Sequence, residues 1–233
     1  MSDQVEVFVL AHASKRGTTS ELLRKQGISH YVFVNPDWEM PADHAELLTD
    51  RSYRPAQRDY AIRQYRAMRG HQEICRLARA PVTLVFEDDA TAMPQEFVYA
   101  AARDAAALLA GGGGYDAVSF HGRNLSLHTV VQTFGRRRYA ALQPRLITEK
   151  AQQEFLKPLW ETTTTVPLPL ALKWHEGCLM YAISRRGRVT WSSADMRAGW
   201  PCDLFLVNQL ETLVLLDSPV VHGGKSLMVE PLG

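Results

Sequence analysis

The stretch "VEVFVLAHASKRGTTSELLRKQGISHYVFVNP" (residues 5–36) decides the fold. Apart from Glu6, Val5 to Leu10 is apolar throughout, a run of strand length that suits burial on both faces of a sheet. Ala11 to Gly17 reads as a loop. Thr18 and Glu21 stand at capping-box spacing and Gly27 follows the last helical turn, which predicts a helix between them. His30 to Val34 reads as a second strand, closed by Asn35-Pro36. Strand, helix and strand within about thirty residues make a βαβ unit, and such a crossover lets neighbouring strands run parallel. The expected class is therefore α/β, with a mostly parallel central sheet flanked by helices.

The rest of the chain extends this pattern. Residues 37–56 are polar and rich in Pro and Asp. From about Arg58 to Ala80 a helical stripe recurs at Ile62, Tyr65, Met68, Ile74, Cys75, Leu77 and Ala78. "PVTLVF" (81–86) predicts a central strand, and Pro94 opens a helix that runs to residue 110. The four glycines at 111–114 follow a helix and precede the strand "DAVSFHG", which is the wrong order for a phosphate cradle and the right one for a helix exit. "TTTTVPLPLALKW" is extended and broken by prolines. "CLMYAIS" (178–184) predicts a strand, "CDLFLVNQL" (202–210) a helix, and "TLVLLDSPVVHGG" a last strand with its exit loop. One α/β domain over 1–233 accounts for the sequence.

The totals exclude several classes. With 26 Lys and Arg against 25 Asp and Glu, the net charge of +1 offers no broad basic face for nucleic acid. The three cysteines (Cys75, Cys178 and Cys202) are odd in number, widely spaced and without a C-x-x-C pair. That argues for a reducing compartment, and against both a disulfide framework and a cysteine-based zinc site. No segment approaches the twenty or so apolar residues of a membrane span, and the N-terminus lacks a signal pattern. A cytoplasmic location is expected, with peripheral membrane contact left open.

Chemistry concentrates in "TLVFEDDATAMP" (83–94). A buried strand runs into Glu87-Asp88-Asp89, three carboxylates that repel one another and are costly to bury without a positive partner. Side chains two apart on a strand share a side, so Glu87 and Asp89 are expected to face one site. Hard oxygen ligands at the carboxyl end of a parallel strand suit Mg²⁺ or Mn²⁺. The plain alternative is a solvated cap on the following turn.

"VFVLAHASKRGTTSELLRKQGIS", "YRAMRGHQEICRLARAPVTLVFEDDA", "GCLMYAISRRG", "WPCDLFLVNQL" and "SPVVHGG" occur in an order and spacing that resembles glycosyltransferase family 25, the lipopolysaccharide-type glycosyltransferases. Gly70 stands where that family's helix carries a Ser before its His, and residues 121–175 have no clear counterpart. The resemblance implies a GT-A (Rossmann-like) domain. Residues 1–120 would form its nucleotide-sugar half and 121–233 its acceptor half. It implies a UDP-sugar donor, UDP-glucose or UDP-galactose, and a Mn²⁺ or Mg²⁺ ion on a DXD-like Glu-x-Asp element. Asp89 is then the direct metal ligand, with Glu87 beside it and His222 as a second protein ligand from the tail. Ala11, His12 and Arg16, with Lys15, would meet the uracil or diphosphate, and Asp88 the donor's ribose or sugar. His71 is either a packed, hydrogen-bonded core histidine or a donor contact.

An inverting transfer needs a base on the acceptor hydroxyl. Asp203, after Pro201, falls at the family's Pro-x-Asp element, although N-capping explains it equally. Glu176 in "WHEG" is the second choice of base, with Trp174 or Trp200 as a sugar platform or as core. The expected acceptor is a saccharide. One alternative acceptor is a hydroxymethylated base of viral DNA, with Arg136, Arg137, Arg138, Lys150 and Lys157 on its phosphates. A non-catalytic nucleotide-sugar or glycan-binding protein is the alternative from another class. A nucleotidyltransferase or phosphohydrolase would need a Gly-rich phosphate loop or a second acidic cluster, and the sequence carries neither.

Overall fold

In the computed structural model, β1 (Val5–Leu10) passes through a short 3-10 turn (Ala13–Lys15) into α1 (Arg16–Lys25) and on to β2 (Val32–Val34), which lies parallel to β1. The structure describes residues 4–39, 41, 55–91, 97–110, 114–120, 165–167, 178–195, 202, 205–206, 209–215 and 220–222. α1 begins earlier than the Thr18–Glu21 spacing predicts. Its N-cap is Lys15, which makes no side-chain cap bond. The 3-10 turn ahead of the helix takes up that role, with the Lys15 amide donating to the His12 carbonyl at 3.0 Å. Gly27 closes the helix as expected. It takes a φ of 75°, and the Ile28 amide reaches back to the Leu23 carbonyl at 2.9 Å.

The chain continues through α2 (Pro55–Leu77), β3 (Val82–Glu87), β4 (Ala90–Thr91), α3 (Phe97–Ala110), β5 (Ala117–Ser119), β6 (Thr165–Pro167), β7 (Met180–Ser184), α4 (Arg185–Ser192), β8 (Thr212–Leu215) and β9 (Val221–His222). The main sheet has seven strands in the order β2-β1-β3-β7-β5-β8-β6. β1, β2, β3, β5 and β8 point one way, while β7 and β6 run against their neighbours. The fold is thus α/β with a mixed, mostly parallel sheet. β7 comes from late in the chain yet lies between β3 and β5, so the sheet is shared across residue 120.

Strand alternation divides the apolar side chains between two faces. Val5, Val7 and Val9 of β1, Leu84 and Phe86 of β3, and Met180 and Ala182 of β7 face α1 and α3. Phe8 and Leu10, Val85, and Tyr181 and Ile183 face α2 and α4. β7 enters α4 directly, because the Ser184 side chain accepts the Gly187 amide at 3.2 Å and caps the helix. The sequence reading did not anticipate α4. Its inward face is little more than Gly187, Arg188 and Trp191, too sparse a stripe to register as periodic.

Candidate functional site

β1 leads through α1 to β2 on one side of it, and β2 leads through α2 to β3 on the other. The carboxyl ends of β1 and β3 therefore flank a topological switch point, where an open α/β sheet offers a crevice for ligands. The two loops that leave this point are laced together. The Asp88 amide donates to the Leu10 carbonyl at 3.1 Å, and the His12 amide donates to Asp88 Oδ2 at 3.1 Å. Ala11, fully buried, donates to the Val34 carbonyl at 3.0 Å and ties in the end of β2. His12 Nδ1 meets Asp37 Oδ1 at 3.1 Å, and the Arg16 guanidinium lies 5.3 Å from the Phe33 ring centre. Ala11, His12, Arg16 and Asp88, separated in sequence, thus share one rim.

The acidic triplet does not behave as a continuing strand. β3 stops at Glu87, and Asp88 and Asp89 form a turn, so the rule that placed Glu87 and Asp89 on one side ends where it would have been used. Glu87 instead turns into the interior beneath α2, where its Oε1 lies 2.8 Å from His71 Nε2. Asp88 is half-buried, and burial raises its carboxyl above the ordinary range despite the opposing His12 amide. Lys15 also pulls it down, which puts that ammonium within the field of the turn. Asp89 is 8% exposed. Asp88 and Asp89 offer hard oxygens of the type that Mn²⁺ and Mg²⁺ take, but the side chains that meet the spacing for holding an ion among the described residues lie elsewhere.

The tail returns to this turn. β9 leaves the main sheet and pairs antiparallel with β4, with His222 opposite Ala90, the residue after Asp89. The other expected site residues, Asp203 and Glu176 with Trp174 and Trp200, lie outside the described residues, as do Arg136, Arg137, Arg138, Lys150 and Lys157. Cys202 and Phe205, on either side of Asp203, are both buried.

Beneath the turn lies a cluster that the sequence reading missed. His71 is completely buried on α2, with Nδ1 2.9 Å from the Tyr181 hydroxyl and the Trp191 ring centre 5.3 Å from its own. Cys178 and Cys202 complete the group: a ring nitrogen of His71 and the two sulfurs all lie within 4.8 Å of one another. Chain spacing argued against any cysteine-based metal group, but the fold joins Cys178, at the entry to β7, with Cys202, over twenty residues later. Burial works against a charged His71, yet the Cys202 sulfur and the Glu87 carboxylate outweigh it and raise the ring to about 9. Cys202 is itself lowered, first by its hydrogen bond with Cys178 and then by His71, against burial. No sequence signal pairs these cysteines; only the position of β7 between β3 and β5 does.

A cavity of about 870 Å³ bordered by Val5, Tyr31, Arg79 and Pro81 opens at the amino edge of the sheet, the end opposite the acidic turn. Among the described residues no helix is long and apolar enough to cross a membrane. No protein-family model matches the chain, and no curated protein matches it.

Proposed function

We propose that the chain is a metal-dependent glycosyltransferase that moves a hexose from a UDP-sugar to an acceptor hydroxyl with inversion. The observation that carries the reading is the meeting of three chain segments at the switch point. There the Asp88–Asp89 turn, the His12 amide and the backbone of His222 converge from β3, β1 and β9. Asp89 would hold Mn²⁺ or Mg²⁺, with His222 as its protein partner. The bound ion would neutralise the charge that builds on the departing diphosphate.

The chain's own residues divide the remaining work. The His12 amide fixes the Asp88 carboxylate, which is thereby aimed and ready for a donor hydroxyl. Lys15 and Arg16, at the start of α1, are the cations available to the diphosphate or uracil. Glu87 serves as a buttress, since its carboxylate is engaged by His71. Asp203, beside the buried Cys202, takes the acceptor's proton as the sugar bond forms. A saccharide is the acceptor class that accords with a net charge of +1.

The test is a thermal-shift and turnover series on the full chain with UDP-glucose and UDP-galactose, with Mn²⁺ or with chelator. A melting point raised by one UDP-sugar only when metal is present, and UDP release that Asp89→Ala abolishes while the variant still melts cooperatively, is the expected result. Undiminished turnover of Asp89→Ala in chelator would overturn the assignment. Metal-dependent binding without turnover on any acceptor would mark a binding protein. Transfer to hydroxymethylated DNA that falls steeply with salt would identify the base-modifying alternative.

A further inference from the structure

We infer that His71, Cys178 and Cys202 form a buried zinc site that fixes the Cys202 segment and the acidic turn relative to one another. Three borderline-soft ligand atoms within 4.8 Å of one another, all in buried side chains, match the ligand types and span of a tetrahedral zinc centre. A thiolate–imidazole set selects zinc over the hard cations proposed for the Asp88–Asp89 turn. The second observation is the carboxylate behind the histidine. Glu87 Oε1 lies 2.8 Å from His71 Nε2, the arrangement by which metal-binding histidines are oriented through their other ring nitrogen. In the neutral ring that metal binding requires, Nε2 donating to that carboxylate would leave the lone pair on Nδ1. The Tyr181 hydroxyl, 2.9 Å from Nδ1, is an oxygen donor at hand for a fourth position.

Binding displaces the protons shared among Cys178, Cys202 and His71, which leave to solvent, and takes two thiolates and a neutral imidazole as ligands with no change of oxidation state. The three ligands come from α2, the entry to β7 and the helical residue Cys202. The ion would therefore join segments that no local sequence contact joins. Through Glu87 it would also steady the end of β3. This site is independent of the donor chemistry proposed above, and its test reads no transfer activity.

The full chain is purified under reducing conditions from zinc-supplemented cells, desalted without chelator and analysed for metal content. About one zinc per chain is expected in the wild type. Cys178→Ser and Cys202→Ser should each lower that content at least about tenfold. Cys75→Ala, at a buried cysteine outside the cluster, should retain the full content. To keep the test independent of whether a serine variant folds, the stripped wild type is also titrated with Co²⁺. A thiolate-to-cobalt charge-transfer band that saturates at one equivalent is expected. Wild-type protein with well under one zinc per chain and no such band overturns the site. So does a Cys178–Cys202 disulfide that mass spectrometry finds in chain freshly purified under reducing conditions.

Discussion

Glu87 closes a strand whose six residues are all buried, and the fold gives its carboxylate a partner in the buried ring of His71. Removing one member of a buried pair leaves the other without compensation, which typically costs about 3–5 kcal/mol. Glu87→Ala should approach that loss in chemical denaturation, and Glu87→Gln, which keeps an acceptor for Nε2, should lose clearly less. Equal losses would show that the pair contributes only packing. The same ring predicts a pH dependence in protein stripped of metal. Burial opposes its charge, but Cys202 and Glu87 raise it from 6.5 to about 9, so the folded state holds the proton more tightly than the unfolded state. That stabilisation is complete below pH 6.5 and disappears as pH rises through about 9. The melting point of stripped wild type should fall across this window, and that of Glu87→Gln should fall less. Cys75 is the contrasting case. Burial pushes its thiol up to about 12, so native protein at neutral pH should leave Cys75 unalkylated until it unfolds.

At the scale of elements, α2 seats closely on β1 because Gly70 has no side chain. A β-carbon at this position would run into the Leu10 side chain. Overpacking costs about 1–3 kcal/mol, while replacing a helical glycine returns up to about 1 kcal/mol in propensity. Gly70→Ser, which installs the residue of the resembled family, should therefore destabilise by up to about 2 kcal/mol. Combined with Leu10→Ala it should cost less than the sum of the two single changes, because the collision is with the removed atoms. Strict additivity would place the strain elsewhere. The elements that were legible in the sequence are those with an apolar run, a stripe or a helix stop of their own: β1, α1 and its Gly27 exit, α2, β3, α3, β5, β7 and β8. α4 was not legible, because Trp191 and Arg188 are buried by contacts from other elements and not by a stripe of their own. The antiparallel setting of β7 was equally hidden, since "CLMYAIS" reads the same in either direction and only its neighbours β3 and β5 fix it.

The whole molecule brings together what the sequence keeps apart. The switch-point edge was legible in outline, because a βαβ unit followed by a strand ending in carboxylates names a sheet edge. The separation of Asp89 from Glu87 was not, since the strand whose alternation would have paired them ends at Glu87. The pairing of Cys178 with Cys202 was not either, since it depends on a strand inserted from late in the chain. The two proposed metal sites differ in ligand chemistry, so they should empty separately. Mn²⁺ or Mg²⁺ at the Asp88–Asp89 turn is held by few protein ligands and exchanges readily, whereas zinc among thiolates is buried. In a graded chelator titration, sugar transfer should be lost first with the melting point unchanged, and recover on adding Mn²⁺. Removing the zinc should come at higher chelator. If bound zinc stabilises by the ~4 kcal/mol of a ligand present at about a thousand times its dissociation constant, the melting point should then drop by roughly 8–16 °C for a chain of this size. Adding Mn²⁺ should not restore that loss, because a hard cation is a poor match for two thiolates. Transfer and melting point falling together, and Mn²⁺ restoring both, would mean that a single ion serves the molecule and that the cysteine cluster is empty of function.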